Sequence, residues 1–163
     1  MLATSAGSVA FQSSAKVDRL LAAMTLDEKI AMLHGATDPQ SFGQAGYLPG
    51  VPRLGIPALR LTDGPAGVRT SRPATALPAP VALAATFSVT AAKRYGEIMG
   101  QETRALGHDV LLAPMVNIVR VPQAGRNFET LGEDPFLASQ IVSVEVAAIE
   151  SQGAIVEWPG PVS

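Results

Sequence analysis

An α/β fold built on a parallel sheet is what this sequence predicts, and three observations predict it. Apolar runs suited to buried strands recur at 58–61, 110–113 and 154–156. Helical spacing fills the intervals after each loop, giving the order strand, loop, helix, strand, loop, helix, strand, which calls for right-handed crossovers. The first run leads straight into Asp63-Gly64-Pro65, and the second breaks at Pro114. Gly- and Pro-rich loops therefore leave the same edge of the sheet, the edge where α/β folds bind ligands.

The elements follow in order. Residues 1–14 are small and polar and are expected to fray. Val17, Leu20, Leu21 and Met24 recur at helical spacing. Thr25-Leu-Asp-Glu28 reads as a capping box opening a second helix. Leu26, Ile30 and Leu33 form its apolar stripe, and Gly35 is its expected C-cap. Gly46-Tyr-Leu-Pro-Gly-Val-Pro-Arg-Leu-Gly-Ile-Pro57 carries too much proline for a regular helix or a central strand. It reads as a long loop, ordered by Tyr47, Leu48, Val51, Leu54 and Ile56. The stretch from Arg69 through Pro73, Pro78 and Pro80 reads as loop too. Ser88 is a good N-cap for a helix whose core stripe is Ala92, Tyr95, Met99 and Leu106, ended by Gly107. Asp134 caps the next helix with Pro135 at its first position. Leu137, Ile141, Val144 and Ala148 line that helix's buried face, and Gly153 closes it.

Composition narrows the function. At 163 residues there is enough chain for one domain with a core. The net charge of −2, with no run of Lys or Arg, leaves no footprint for nucleic acid or an anionic membrane. No apolar run approaches the roughly 20 residues of a spanning helix. The absence of cysteine excludes disulfides and thiolate chemistry. The first 14 residues lack the basic and apolar regions of a signal peptide, so a cytoplasmic location is expected. No phosphate loop, dinucleotide fingerprint, H-E-x-x-H or G-x-S-x-G is present.

Two readings are open for each side chain that could carry chemistry. Asp63 either accepts hydroxyl hydrogens from a sugar or polyol, or bonds its own turn. Its place after a buried strand, with Gly67 and Arg69 following, favours the first. Arg126 has a fork of donors suited to paired hydroxyls, or else pairs Glu129 or Glu133 on the surface. Glu129 has the same ambiguity. Asp134 reads as a helix cap and Glu133 as a solvated acid near the helix dipole. His34 and His108 have no partner at metal-ligand spacing and read as exposed or locally bonded. Trp158 is a weak candidate for stacking on a sugar ring. A Schiff-base barrel enzyme lacks its lysine, since Lys16, Lys29 and Lys93 all fall on predicted helices.

Five motifs then stand in a recognisable order: Met24-Thr-Leu-Asp-Glu-Lys-Ile30, Pro52-Arg-Leu-Gly-Ile-Pro57, Thr62-Asp-Gly-Pro-Ala-Gly-Val-Arg69, Ala113-Pro-Met-Val-Asn117 and Gly125-Arg-Asn-Phe-Glu-Thr-Leu-Gly-Glu-Asp-Pro135. From 17 to 156 the chain resembles the amino-terminal domain of family 3 glycoside hydrolases, closest to the bacterial β-glucosidase type. The resemblance implies that residues 15–156 are the amino-terminal portion of a (β/α)8 TIM-like barrel, which an α/β sandwich domain follows in the family. It implies retaining hydrolysis of terminal non-reducing β-glucosyl residues, with a β-glucoside or oligosaccharide as ligand and no metal or organic cofactor. Asp63 would grip hydroxyls of the terminal sugar, Arg126 would donate to the same ring, and Arg69 is a weaker candidate for that pocket. The family continues with a sugar-binding Lys-His pair where Glu157-Trp-Pro-Gly-Pro-Val-Ser163 stands here. The nucleophile aspartate and the acid/base follow later in the family. The expectation is a truncated or frame-disrupted member, with 157–163 as an off-pattern tail. Such a chain would be inactive alone, or would act as a non-catalytic sugar-binding fragment or survive as an unstable remnant. An uncovered sheet edge would favour self-association.

Overall fold

The computed structural model describes residues 14–157. Four strands form one sheet in sequence order: β1 (Gly46–Leu48), β2 (Leu59–Asp63), β3 (Val110–Leu112) and β4 (Ile155–Val156). The β2–β3 and β3–β4 pairs are parallel, with Asp63 level with Leu112 and Val110 level with Ile155. β1 runs antiparallel along the outer side of β2, so the sheet is mixed at that edge. It lies within the stretch expected to be loop. Residues 46–48 hold no proline, and an edge strand needs only one partner, so three residues suffice.

Five α-helices accompany the sheet: α1 (Ala15–Ala23), α2 (Leu26–Ala31), α3 (Pro80–Ala84), α4 (Val89–Ala105) and α5 (Pro135–Ser151). Their caps are those the sequence announces. Thr25 and Glu28 exchange side-chain and backbone bonds at 2.8 and 3.2 Å. The Ser88 hydroxyl accepts from the Ala91 N–H, and Asp134 accepts from Phe136 and Leu137. Ser14, counted with the frayed residues from sequence, accepts from the Val17 N–H and caps α1. α3 occupies part of the expected loop, because Pro80 sits at the first helical position, where its missing N–H costs nothing. α2 ends at Met32, short of Gly35. Its stripe is not buried: Leu33 is 86% exposed, and Leu26 and Ile30 also face solvent. The guanidinium of Arg53 ties this helical pair to the domain through Glu28 and the Ala23 carbonyl.

The core lies between the sheet and α4 and α5. β3 contributes Leu111, α4 contributes Ala92, Tyr95 and Met99, and α5 contributes Ile141 and Ile149. Alternation along the strands sends Leu61, Val110, Leu112 and Ile155 to the other face, where Ile155 is half exposed. The two long helices cross closely because α4 has no side chain at the contact. A Cβ at Gly96 would stand 2.5 Å from the Glu145 carbonyl, and one at Gly100 would stand 2.7 Å from that of Ile149.

Buried in that interface is an acid, four residues after Ile141 and three before Ala148 on the buried stripe of α5. The Glu145 side chain is buried on α5, its Oε2 has no protein partner, and burial pushes its carboxyl up to about 8.

Two outcomes follow from this packing. Gly96→Ala forces the helices apart and is expected to lower stability by about 1–3 kcal/mol, read by thermal or denaturant unfolding. The Glu145 carboxyl binds its proton more tightly in the folded chain than in the unfolded one. Its contribution is therefore complete below pH 4.5 and is lost as pH rises through about 8. The slope should approach about 1.4 kcal/mol per pH unit between those limits. Glu145→Gln should flatten it, as unfolding curves across that range would show.

Candidate functional site

The carboxyl ends of β2 and β3 carry the site. Asp63 closes β2 on the face away from the helices, and the turn after it is too tight for side chains. A Cβ at Gly64 would meet the Gly67 carbonyl at 2.7 Å. Gly67 itself has φ +114°, and a Cβ there would stand 2.3 Å from the Thr75 carbonyl. The chain then turns back on the strand: the Arg69 N–H donates to the Asp63 carbonyl at 2.8 Å, and the buried Thr62 hydroxyl donates to the Arg69 carbonyl at 2.6 Å. From the helical side, the Tyr95 hydroxyl lies 2.9 Å from the carbonyls of both Pro65 and Pro78. Burial, with the Glu145 carboxyl nearby, raises the pKa of that phenol, so it stays a donor.

Arg69 and Asp63 form an ion pair, Nη1 to Oδ2, at 2.9 Å. The arginine is largely exposed and the aspartate about one-third exposed, so the pair adds little to stability. Among the described residues, no hydrogen bond or ion pair engages Oδ1 of Asp63.

The second element follows β3. The Ala113–Pro114 peptide is cis, and Met115 bridges to Thr130. Asn127–Glu129 is one turn of 3-10 helix, held by the Asn127 side-chain N–H donating to the Val121 carbonyl at 2.9 Å. Arg126 precedes that turn and donates from Nε to Glu129 Oε2 at 2.7 Å, with Nη2 2.6 Å from the same oxygen as an ion pair. The surface pairing anticipated as one alternative is thus present. Beside it is a cavity of about 620 Å³, lined by Met115, Asn117, Ile118, Arg120, Arg126 and Thr130, among others. Asn117 Oδ1 is buried there without a protein partner.

Asp63 does not line this cavity, and no hydrogen bond or ion pair joins it to Arg126. Arg69 lines a separate recess of about 340 Å³ between residues 66 and 76. The three sequence candidates therefore share one edge of the sheet without sharing one wall. Asp134 is the cap expected of it, and Glu133 is exposed. His34 is exposed and bonded to the Gly35 carbonyl. His108 departs from expectation. It is fully buried, with neither ring nitrogen bonded, and lies edge-on to Phe42. Burial, then the nearby Arg60 guanidinium, lowers its pKa and keeps it neutral. It precedes β3, at the opposite end from Asp63. Trp158 lies outside the described residues. Among the described residues no three His, Asp or Glu side chains gather as a metal-binding group.

This geometry sets an acid at the carboxyl end of a parallel strand in an α/β sheet, and comparison with known proteins gives the family. Residues 44–157 match the model of the glycosyl hydrolase family 3 N terminal domain. Beta-glucosidase BoGH3A of Bacteroides ovatus is 40% identical over 152 residues, which cover 85% of this chain and 19% of that protein. The crystal structure of DesR, a β-glucosidase from Streptomyces venezuelae in complex with D-glucose, superposes with a TM-score of 0.83 at 49% identity. It covers 90% of this chain, which covers 19% of it. β-Glucosidase 3B from Thermotoga neapolitana in complex with glucose gives a TM-score of 0.82 at 38% identity, covering 88% and 22% of the two chains. The chain belongs to glycosyl hydrolase family 3. Its fold is the amino-terminal part of a TIM-like barrel, and it spans about a fifth of the length of these relatives.

Thr62 is the buried anchor of the Asp63 turn, so Thr62→Val should cost about 1 kcal/mol by leaving the Arg69 carbonyl unbonded. Amide hydrogen exchange at Arg69 should accelerate more than exchange in α4.

Proposed function

We propose that this chain provides the sugar-gripping part of a β-glucosidase site, with glucose or the terminal unit of a β-glucoside as ligand. Asp63 Oδ1 accepts from ring hydroxyls while Arg69 holds Oδ2. Arg126 and, more weakly, Arg69 donate to the same ring. The observation that carries this reading is the Asp63 carboxylate itself. It stands at the end of a parallel strand with one oxygen engaged and one open, in a family whose solved members include β-glucosidases in complex with glucose.

Retaining hydrolysis needs two carboxyl groups about 5–5.5 Å apart across the scissile bond. Here Asp63 is paired with Arg69, Glu129 is taken by Arg126, and Asp134 is taken by the first turn of α5. In this reading the 163 residues by themselves bind sugar and do not turn it over.

Calorimetry with D-glucose tests the grip. A hydrogen bond to a charged group is worth about 1.5–3 kcal/mol, so Asp63→Ala should weaken binding at least tenfold. Equal heats for the two proteins would remove the reading. p-Nitrophenyl β-glucoside incubated with the chain alone should release no p-nitrophenol, and steady release would overturn the binding-only assignment.

A further inference from the structure

We infer that Glu129 is a positioning residue for Arg126, fixing which of its N–H groups a ligand meets. This rests on the reading that Arg126 donates to the sugar. A guanidinium has five N–H donors in one plane. Glu129 Oε2 sits on one edge of that plane, accepting from Nε at 2.7 Å and ion-paired with Nη2 at 2.6 Å. Among the described residues no bond engages the far edge, which carries both hydrogens of Nη1 and the outer hydrogen of Nη2. An arginine without this hold would sweep its charge through many rotamers, and a ligand would have to offset that entropy.

The holder is itself held. Glu129 ends the 3-10 turn and donates its N–H to the Arg126 carbonyl at 3.0 Å, so the two residues are locked by backbone as well as side chain. The Asn127 side chain pins the turn to Val121, and the Thr130 hydroxyl donates to the Asn127 carbonyl at 2.8 Å. The Glu129 side chain is 18% exposed against 63% for Arg126, so the carboxylate is the more buried partner and the guanidinium the more exposed one. Arg126 also lines the cavity of about 620 Å³, so a ligand there would have room beside it.

The test uses the whole chain and two readouts. In calorimetry with D-glucose, Glu129→Ala should weaken binding about tenfold with little change in thermal midpoint. In an Arg126→Ala background the same change should add nothing. An equal further loss there would make Glu129 a general support of the loop and overturn the inference, as would unchanged affinity in the single variant. Glu129→Gln keeps an acceptor oxygen and should recover part of the loss, and it substitutes for the alanine variant if that one unfolds. The second readout needs no sugar. The Arg126 Nε proton should exchange slowly with water in the parent chain and in Asp63→Ala, and rapidly in Glu129→Ala. Fast exchange in the parent chain would defeat the positioning role. Slow exchange without glucose binding would instead defeat the sugar-site reading alone.

Discussion

The architecture depends on the close crossing of α4 over α5. Because Gly96 and Gly100 present no side chain, the two helices lie backbone against backbone, with Met99 and Ile149 filling the space beneath them. That proximity lets both helices cover β3, which holds β2 on one side and β4 on the other in parallel register. Glycine inside a helix costs about 1 kcal/mol relative to alanine, and the packing it permits offsets that cost. Everything at the carboxyl edge of the sheet inherits its position from this contact.

From that frame the Asp63 turn is supported at two points. Tyr95, a core residue of α4, reaches through to the carbonyls of Pro65 and Pro78, and Thr62 closes the return of the chain at Arg69. The acid is thus presented on a rigid loop rather than on a mobile one. The Arg126 turn is built differently. It is braced by its own residues, Asn127, Glu129 and Thr130, and by the Met115 bridge. One sheet edge therefore carries two elements whose rigidity has independent sources.

What the sequence disclosed is what local chemistry determines. Thr25, Ser88 and Asp134 are caps because a side-chain oxygen and an N–H three residues away suffice, and all three are found. The apolar runs gave the parallel strands, and the Asp-Gly-Pro motif placed Asp63 at a strand end. The failures are non-local or marginal. His108 reads as exposed or locally bonded, yet it is buried with Phe42 packed edge-on to it. Leu26 and Leu33 satisfy a helical stripe, yet both side chains are mostly exposed. α3 was hidden by a proline at the one helical position that tolerates it. At the site, the position of Arg126 was legible and its engagement by Glu129 remained one of two alternatives. An i,i+3 pair forms only if the backbone turns there.

The Asp63–Arg69 pair has an electrolyte consequence. Both partners touch water, so added salt screens their attraction over a Debye length of about 10 Å at 0.1 M. A sugar is uncharged and loses nothing to that screening. Rising ionic strength therefore loosens the arginine's hold on Oδ2, while under the proposed grip a neutral ligand's hydrogen bonds to Oδ1 are untouched by that screening.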